Sequence, residues 1–125
     1  MPGMIDAHIH LITGGQNLTS FQLRDAKTRE EFVRRIAEFA KKTAKESWIT
    51  GGDWDHTLWG GELPDRSWID EFTPETPVWM PRLDGHMALA NTAAMRAAGI
   101  ADDVADVEGG EVVRDASGRP TGIFK

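Results

Sequence analysis

Cysteine is absent from the 125 residues. Disulfides and thiolate metal sites are therefore excluded, and no redox compartment is implied. Positive charge is also in short supply: 14 Lys and Arg stand against 20 Asp and Glu, for a formal net charge of −6. A nucleic-acid surface needs clustered Lys and Arg to displace counterions from phosphate, so no nucleic-acid partner is expected. The one basic cluster, Arg34, Arg35, Lys41 and Lys42, is interleaved with acids at helical spacing and reads as a solvated helix face. No stretch approaches the ~20 apolar residues that span a bilayer. The opening Met1-Pro2-Gly3-Met4-Ile5-Asp6 lacks the basic-then-apolar pattern of a secretory signal. We therefore expect a cytoplasmic protein without a membrane partner. Gly51-Gly52 and Gly60-Gly61 carry neither the P-loop lysine-serine nor dinucleotide spacing, and read as loop glycines at strand ends.

Apolar residues make up 40% and charged residues 27%, which suits a folded globular chain rather than a disordered one. One domain over 1–125 is expected from the length. Met4 to Leu11 is short, partly β-branched and bounded by breakers, as a buried strand should be. Thr28-Arg29-Glu30-Glu31 has the capping-box pattern, and Phe32, Val33, Ile36, Phe39 and Ala40 then recur at helical spacing. Trp48 to Gly52 is a second strand, residues 64 to 72 a short helix, and Pro77 to Leu83 a third strand. Asn91 caps a helix from Thr92 to Ala98 that Gly99 ends. The tail, 108–125, is a β-hairpin around Asp115-Ala116-Ser117-Gly118. Alternating strands and helices of this kind predict parallel strands with right-handed crossovers.

His8 and His10 stand two apart in the first strand. Residues at that spacing point to one face, about 6.6 Å apart along the chain. Two imidazoles there can aim at one point near the strand's C-terminal end, where parallel α/β proteins build their sites. They suit Zn, Fe, Ni or Mn alike. Asp6 shares their face and could bond the ring nitrogen turned away from a metal. A catalytic ion wants a third ligand and an open position for water. His56, just past the second strand, and His86, just past the third, are candidates to line such a site. The five Trp read mostly as core and loop-packing residues.

The stretch Pro2 to Leu11, with its glycine, Ile-Asp pair and His-x-His, resembles the first barrel strand of the amidohydrolase superfamily. Three further stretches narrow the resemblance: Trp48-Ile49-Thr50-Gly51-Gly52-Asp53-Trp54-Asp55; Arg82-Leu83-Asp84-Gly85-His86 with Ala90-Asn91-Thr92-Ala93-Ala94; and Gly109 to Asp115 with Gly118 to Gly122. They point to the amidohydrolase family 3 branch, the YtcJ-like proteins that include N-substituted formamide deformylase. The resemblance implies an α/β fold: the first three βα units of a (β/α)8 TIM-type barrel, plus the C-terminal hairpin as an insertion.

It implies a metal-dependent hydrolase that attacks amide, cyclic amide or related C–N bonds of a small molecule with metal-activated water. His8 and His10 would be metal ligands, with Asp84, His86, Trp54 and His56 near the substrate. The cofactor would be a divalent metal, zinc foremost, as one or two ions. Family members run to several hundred residues, and later strands supply further histidines, a bridging ligand and the catalytic aspartate. No catalytic base is therefore expected among these 125 residues, and the piece alone should be inactive. Exposed strand edges predict a homo-oligomer. Two other readings stay open: a small metal- or ligand-binding module using the His pair or a Trp-rich surface, and a self-assembling structural fragment.

Overall fold

The computed structural model describes residues 12, 15, 21–44 and 47–125. The expected first strand, with Asp6, His8 and His10, lies outside the described residues. The Thr28 expectation holds: its hydroxyl accepts the Glu31 N–H at 3.1 Å and starts helix α1, Arg29–Ala40. The return bond of the capping box is displaced, because the Glu31 carboxylate accepts from Lys27 N at 3.0 Å rather than from the cap's own N–H. Phe32 and Ile36 are the buried residues of α1. On its polar side Arg34 reaches Glu38 at 2.8 Å, and Arg35 bridges Asp25 at 2.5 Å and Glu31 at 2.6 Å. These two arginines belong to a solvated, ion-paired surface, as the charge pattern predicts.

Five strands form a single mixed sheet in the order β1-β2-β3-β5-β4. Strand β1, Ile49–Thr50, lies parallel to β2, Val78–Pro81, with Ile49 opposite Val78. The remaining pairings are antiparallel. Strand β3, Ala88–Ala90, pairs with β2 and with β5, Pro120–Phe124, and β5 pairs with β4, Val112–Arg114. The expected parallel pairing of the second and third strands is present; strand β3, which the sequence did not announce, is the antiparallel addition. Residues 82 to 87 close a tight turn, Arg82 N donating to Met87 O at 2.7 Å, and that turn sends β3 straight back along β2. A connection so short cannot make the crossover that a parallel neighbour requires. The C-terminal hairpin is present, and β5 joins it to the sheet.

Ile49, Val78, Met80, Leu89 and Ile123 supply the inner face of the sheet to the main core. Against them pack Phe32 and Ile36 of α1, and Trp68 and Ile69 of α2, Ser67–Asp70. The alternate pleat carries Ala90 and Phe124, which meet Ala94 and Met95 of α3, Thr92–Ala97. Helix α3 ends in a Schellman motif: Ile100 N donates to Met95 O at 2.8 Å and Gly99 N to Arg96 O at 3.1 Å, with Gly99 at φ 70°.

Asn91 joins these parts. It is fully buried, and its Oδ1 accepts from Val78 N at 2.9 Å and Ala94 N at 2.8 Å. Its Nδ2 donates to Thr73 O, Thr73 Oγ1 and Thr76 O at 2.9–3.0 Å. One amide thus caps α3, holds the start of β2 and closes the 73–76 loop. Gly122 is a second constraint. At φ 92°, a Cβ there would lie 2.3 Å from Ala90 O and 2.9 Å from Arg66 Cβ.

Asn91→Ala should cost on the order of 2–4 kcal/mol, since it removes a cap and strands buried polar groups. Gly122→Ala should cost more than ~1 kcal/mol through backbone strain and overlap. Urea unfolding measures both, and a loss below about 0.5 kcal/mol, typical of an unconstrained surface site, would refute either assignment.

Candidate functional site

Because β1 and β2 are parallel, the chain leaves both at the same edge of the sheet. After β1 it turns sharply through Gly51, Gly52 and Asp53, all left-handed at φ 90°, 98° and 48°. A Cβ at Gly52 would also crowd Leu23, lying 3.0 Å from its Cδ1. Asp53 takes the left-handed region without a glycine's freedom, and its carboxylate is paired with Arg24 at 2.8 Å. The turn drops Trp54 into the core, where its Nε1–H donates to Met80 O at 2.7 Å. Leu83 N donates to Trp54 O at 3.1 Å, and Trp54 bridges Arg82 in parallel register. The segments after β1 and β2 therefore run side by side.

On this platform Arg82 gathers the polar side chains. Its Nη2 donates to Asp55 Oδ1 at 3.0 Å, its Nη1 to Asp84 Oδ2, and its Nε to His56 Nδ1 at 3.2 Å. Asp55 also accepts from Thr57 N at 3.1 Å and Thr57 Oγ1 at 2.9 Å, which starts a 3-10 helix at His56–Trp59. Asp84 Oδ1 accepts from His86 N at 3.1 Å. Burial pushes the Asp55 carboxyl up, but the Thr57 and Arg82 hydrogen bonds outweigh it and leave it below the usual carboxylate range. Asp84 is lowered chiefly by the His86 N–H; burial opposes this, and the charge and hydrogen bond of Arg82 add to the lowering. Both carboxyls are therefore ionised around one guanidinium that is only 15% exposed.

Four residues were expected near the substrate. His56, half-buried, and Asp84, exposed, lie in this cluster, and the exposed His86 joins it through its backbone N–H to Asp84. Trp54, at 0% exposure, is a core residue beneath the cluster. Its apolar ring fills the space under the turn, and its single donor is spent on Met80 O. His8 and His10, expected as metal ligands, lie outside the described residues. Arg82 and Asp55 were not singled out from sequence. Their signal was an arginine at a strand's end in a loop with acids on both motif segments, which composition alone does not separate from a surface charge. Among the other tryptophans, Trp68 is buried, whereas Trp48 and Trp79 are 47% and 40% exposed.

The described residues do not fit a metal ion. Among them no three His, Cys, Asp or Glu are grouped to hold one. The physical reason is local: Arg82 already supplies the cation between Asp55 and Asp84, and it occupies Nδ1 of His56. Among the described residues, no helix is long and apolar enough to cross a membrane.

Comparison with known proteins bears on this arrangement. The model of the amidohydrolase family matches residues 1–125, the whole chain. The chain belongs to the amidohydrolase family. It is 46% identical over 124 residues to Protein LONG AFTER FAR-RED 3 of Arabidopsis thaliana, covering 99% of this chain and 21% of that protein. It is 32% identical to the putative amidohydrolase YtcJ of Bacillus subtilis, covering 98% of this chain and 23% of the relative. N-substituted formamide deformylase of Arthrobacter pascens is 29% identical, with 99% and 23% covered. Among solved structures, a metal-dependent hydrolase from Pyrococcus furiosus superposes with TM-score 0.61 at 27% identity, over 100% of this chain and 23% of that one. A metal-dependent hydrolase from Pyrococcus horikoshii gives 0.57 at 27% identity, over 94% and 20%. The chain thus spans about a fifth of the length of these relatives.

The amidohydrolase cluster has a pH signature. Both carboxyl pKa values are depressed in the fold, so their contribution to stability is present above the ordinary range near pH ~4 and is lost as pH falls through the folded values. Arg82→Gln should therefore be destabilised relative to wild type at pH 7, and that deficit should shrink at pH 3. Urea unfolding at the two pH values measures it. An undiminished deficit at pH 3 would show that the guanidinium is not what holds the carboxyls down.

Proposed function

We propose that this chain is part of a metal-dependent hydrolase that cleaves C–N bonds, in amides or cyclic amides of small molecules. The family match over residues 1–125, with metal-dependent hydrolases as structural neighbours, carries the reading. The name of the Arthrobacter relative, a formamide deformylase, supports the C–N class. His8 and His10 are the proposed metal ligands, and zinc is the proposed metal. A bound divalent ion would supply the Lewis acidity that brings the pKa of water toward neutrality. His56, Asp84 and His86 are placed on the substrate side, because the loops after parallel strands are where α/β proteins put such groups. The general base and remaining ligands are assigned to chain outside these 125 residues, within a (β/α)8 barrel, and the piece alone is proposed to be inactive. A cytoplasmic location and self-association through strand edges complete the proposal.

The test uses a full-length hydrolase that contains this sequence, stripped with a chelator and reloaded with zinc, against N-formyl, N-acyl and cyclic amides. Turnover should vanish on stripping and return with zinc. His8→Ala and His10→Ala should each lose more than the ~10–100-fold typical of groups that merely support metal ligands. Unchanged turnover in the stripped enzyme would sink the metal assignment, and turnover by the 125-residue chain alone would sink its proposed inactivity.

A further inference from the structure

The guanidinium of Arg82 does more than neutralise two carboxylates. With its Nη atoms committed to Asp55 and Asp84, it aims Nε at Nδ1 of His56, 3.2 Å away. An arginine Nε–H can only donate, so Nδ1 of His56 has to offer its lone pair. A neutral imidazole whose Nδ1 accepts carries its proton on Nε2. The ring stands edge-on to Trp54 at 5.9 Å between centroids, against a partner that is itself fixed in the core. Among the described residues, none bonds Nε2 of His56, which leaves one N–H free at the edge where the β1 and β2 loops meet.

We infer that Arg82 is a positioning residue that locks His56 as its Nε2–H tautomer, making His56 a hydrogen-bond donor to an oxygen of the substrate, such as an amide carbonyl. A base at this position would need its lone pair on Nε2 and its proton on Nδ1, and Arg82 has no acceptor to receive that proton. The ion pairs give the lock its direction. Asp55 and Asp84 hold the guanidinium by its two Nη atoms, so its orientation is set before His56 is considered. The two parallel strands therefore contribute different parts of one device: β1 is followed by the ring, and β2 by the group that orients it. The inference rests on the hydrolase reading only for what the donor faces; the tautomer itself stands on the geometry.

Two measurements separate these layers. Long-range 15N–1H spectra of the histidine-labelled 125-residue chain report the tautomer directly. Wild type should show His56 protonated on Nε2 with Nδ1 bare, and Arg82→Met should give a mixture of tautomers while the amide spectrum stays dispersed. A wild-type ring protonated on Nδ1 overturns the inference without any variant having to fold. The second measurement is kinetic, in a full-length hydrolase acting on whichever amide it turns over. His56→Gln places an N–H close to where Nε2 stood, whereas His56→Asn places one near Nδ1. The Gln variant should keep most of kcat, and the Asn variant should lose roughly the 10²–10³-fold typical of a deleted donor. Equal, severe losses in both would overturn the donor role. If no amide is turned over at all, the hydrolase reading fails while the spectra still decide the tautomer.

Discussion

The bond from the Trp54 indole to Met80 O is the contact on which the organisation of this molecule depends. It fills the space between β2 and the helices with the largest side chain available, and it spends the ring's only donor inside the core. The left-handed turn at Gly51 to Asp53 exists to deliver that ring. Once Trp54 is seated, the next two residues, Asp55 and His56, have little choice of position, and they fall beside the loop after β2. Deleting a buried tryptophan typically costs ~3–5 kcal/mol. Here it would also release the backbone register between Trp54 and Arg82 on which the polar cluster is built. Core and site are thus one construction in this amidohydrolase segment, with the apolar side of the turn below and the charged side above.

Asn91 plays the corresponding part at the other end of β2. A buried amide is tolerated only when its donors and acceptor are met, and this one is met by groups from three separate stretches of chain. That requirement ties the position of α3 to the start of β2, and Gly122 lets β5 pass close enough to Ala90 for the sheet to continue. Packing sets the strand order, while these two positions set how closely the strands may approach.

Local signals in the sequence translated well. The Thr28 cap, the Asn91 cap, the Gly99 terminus and the glycine turn of the hairpin all appear where residue chemistry puts them, because each is decided within a few residues. The family was legible for a related reason: its motifs are contiguous stretches. Topology was not. Ala88-Leu89-Ala90 is too short and too bland to announce a strand, and it became one because the turn at 82–87 aligned it with β2 and β5 bonded its other side. The burial of Trp54 was hidden on the same grounds. An aromatic residue within a polar motif looks exposed until the direction of the preceding turn is known. Arg82 was overlooked because its importance lies in bonds to residues about 27 positions earlier, which no local pattern encodes.

The centre of the polar cluster also constrains where a metal can sit. Carboxylates and a histidine at the ends of parallel strands are the kind of chemistry that can invite a divalent ion. The guanidinium among them makes that cost too much, since an ion there would face a fixed positive charge at contact range and would have to break the Asp55 and Asp84 pairs to gain ligands. In a metal-dependent hydrolase this implies a division of labour. On that proposal the ion would belong with ligands elsewhere, beginning with His8 and His10, and the Arg82 cluster would be left to bind substrate. Such a division has a chemical logic. Groups that hold a metal must be electron-pair donors, whereas an amide carbonyl is gripped by N–H donors, and a shell of arginine-bound carboxylates converts a histidine from the first kind of group into the second.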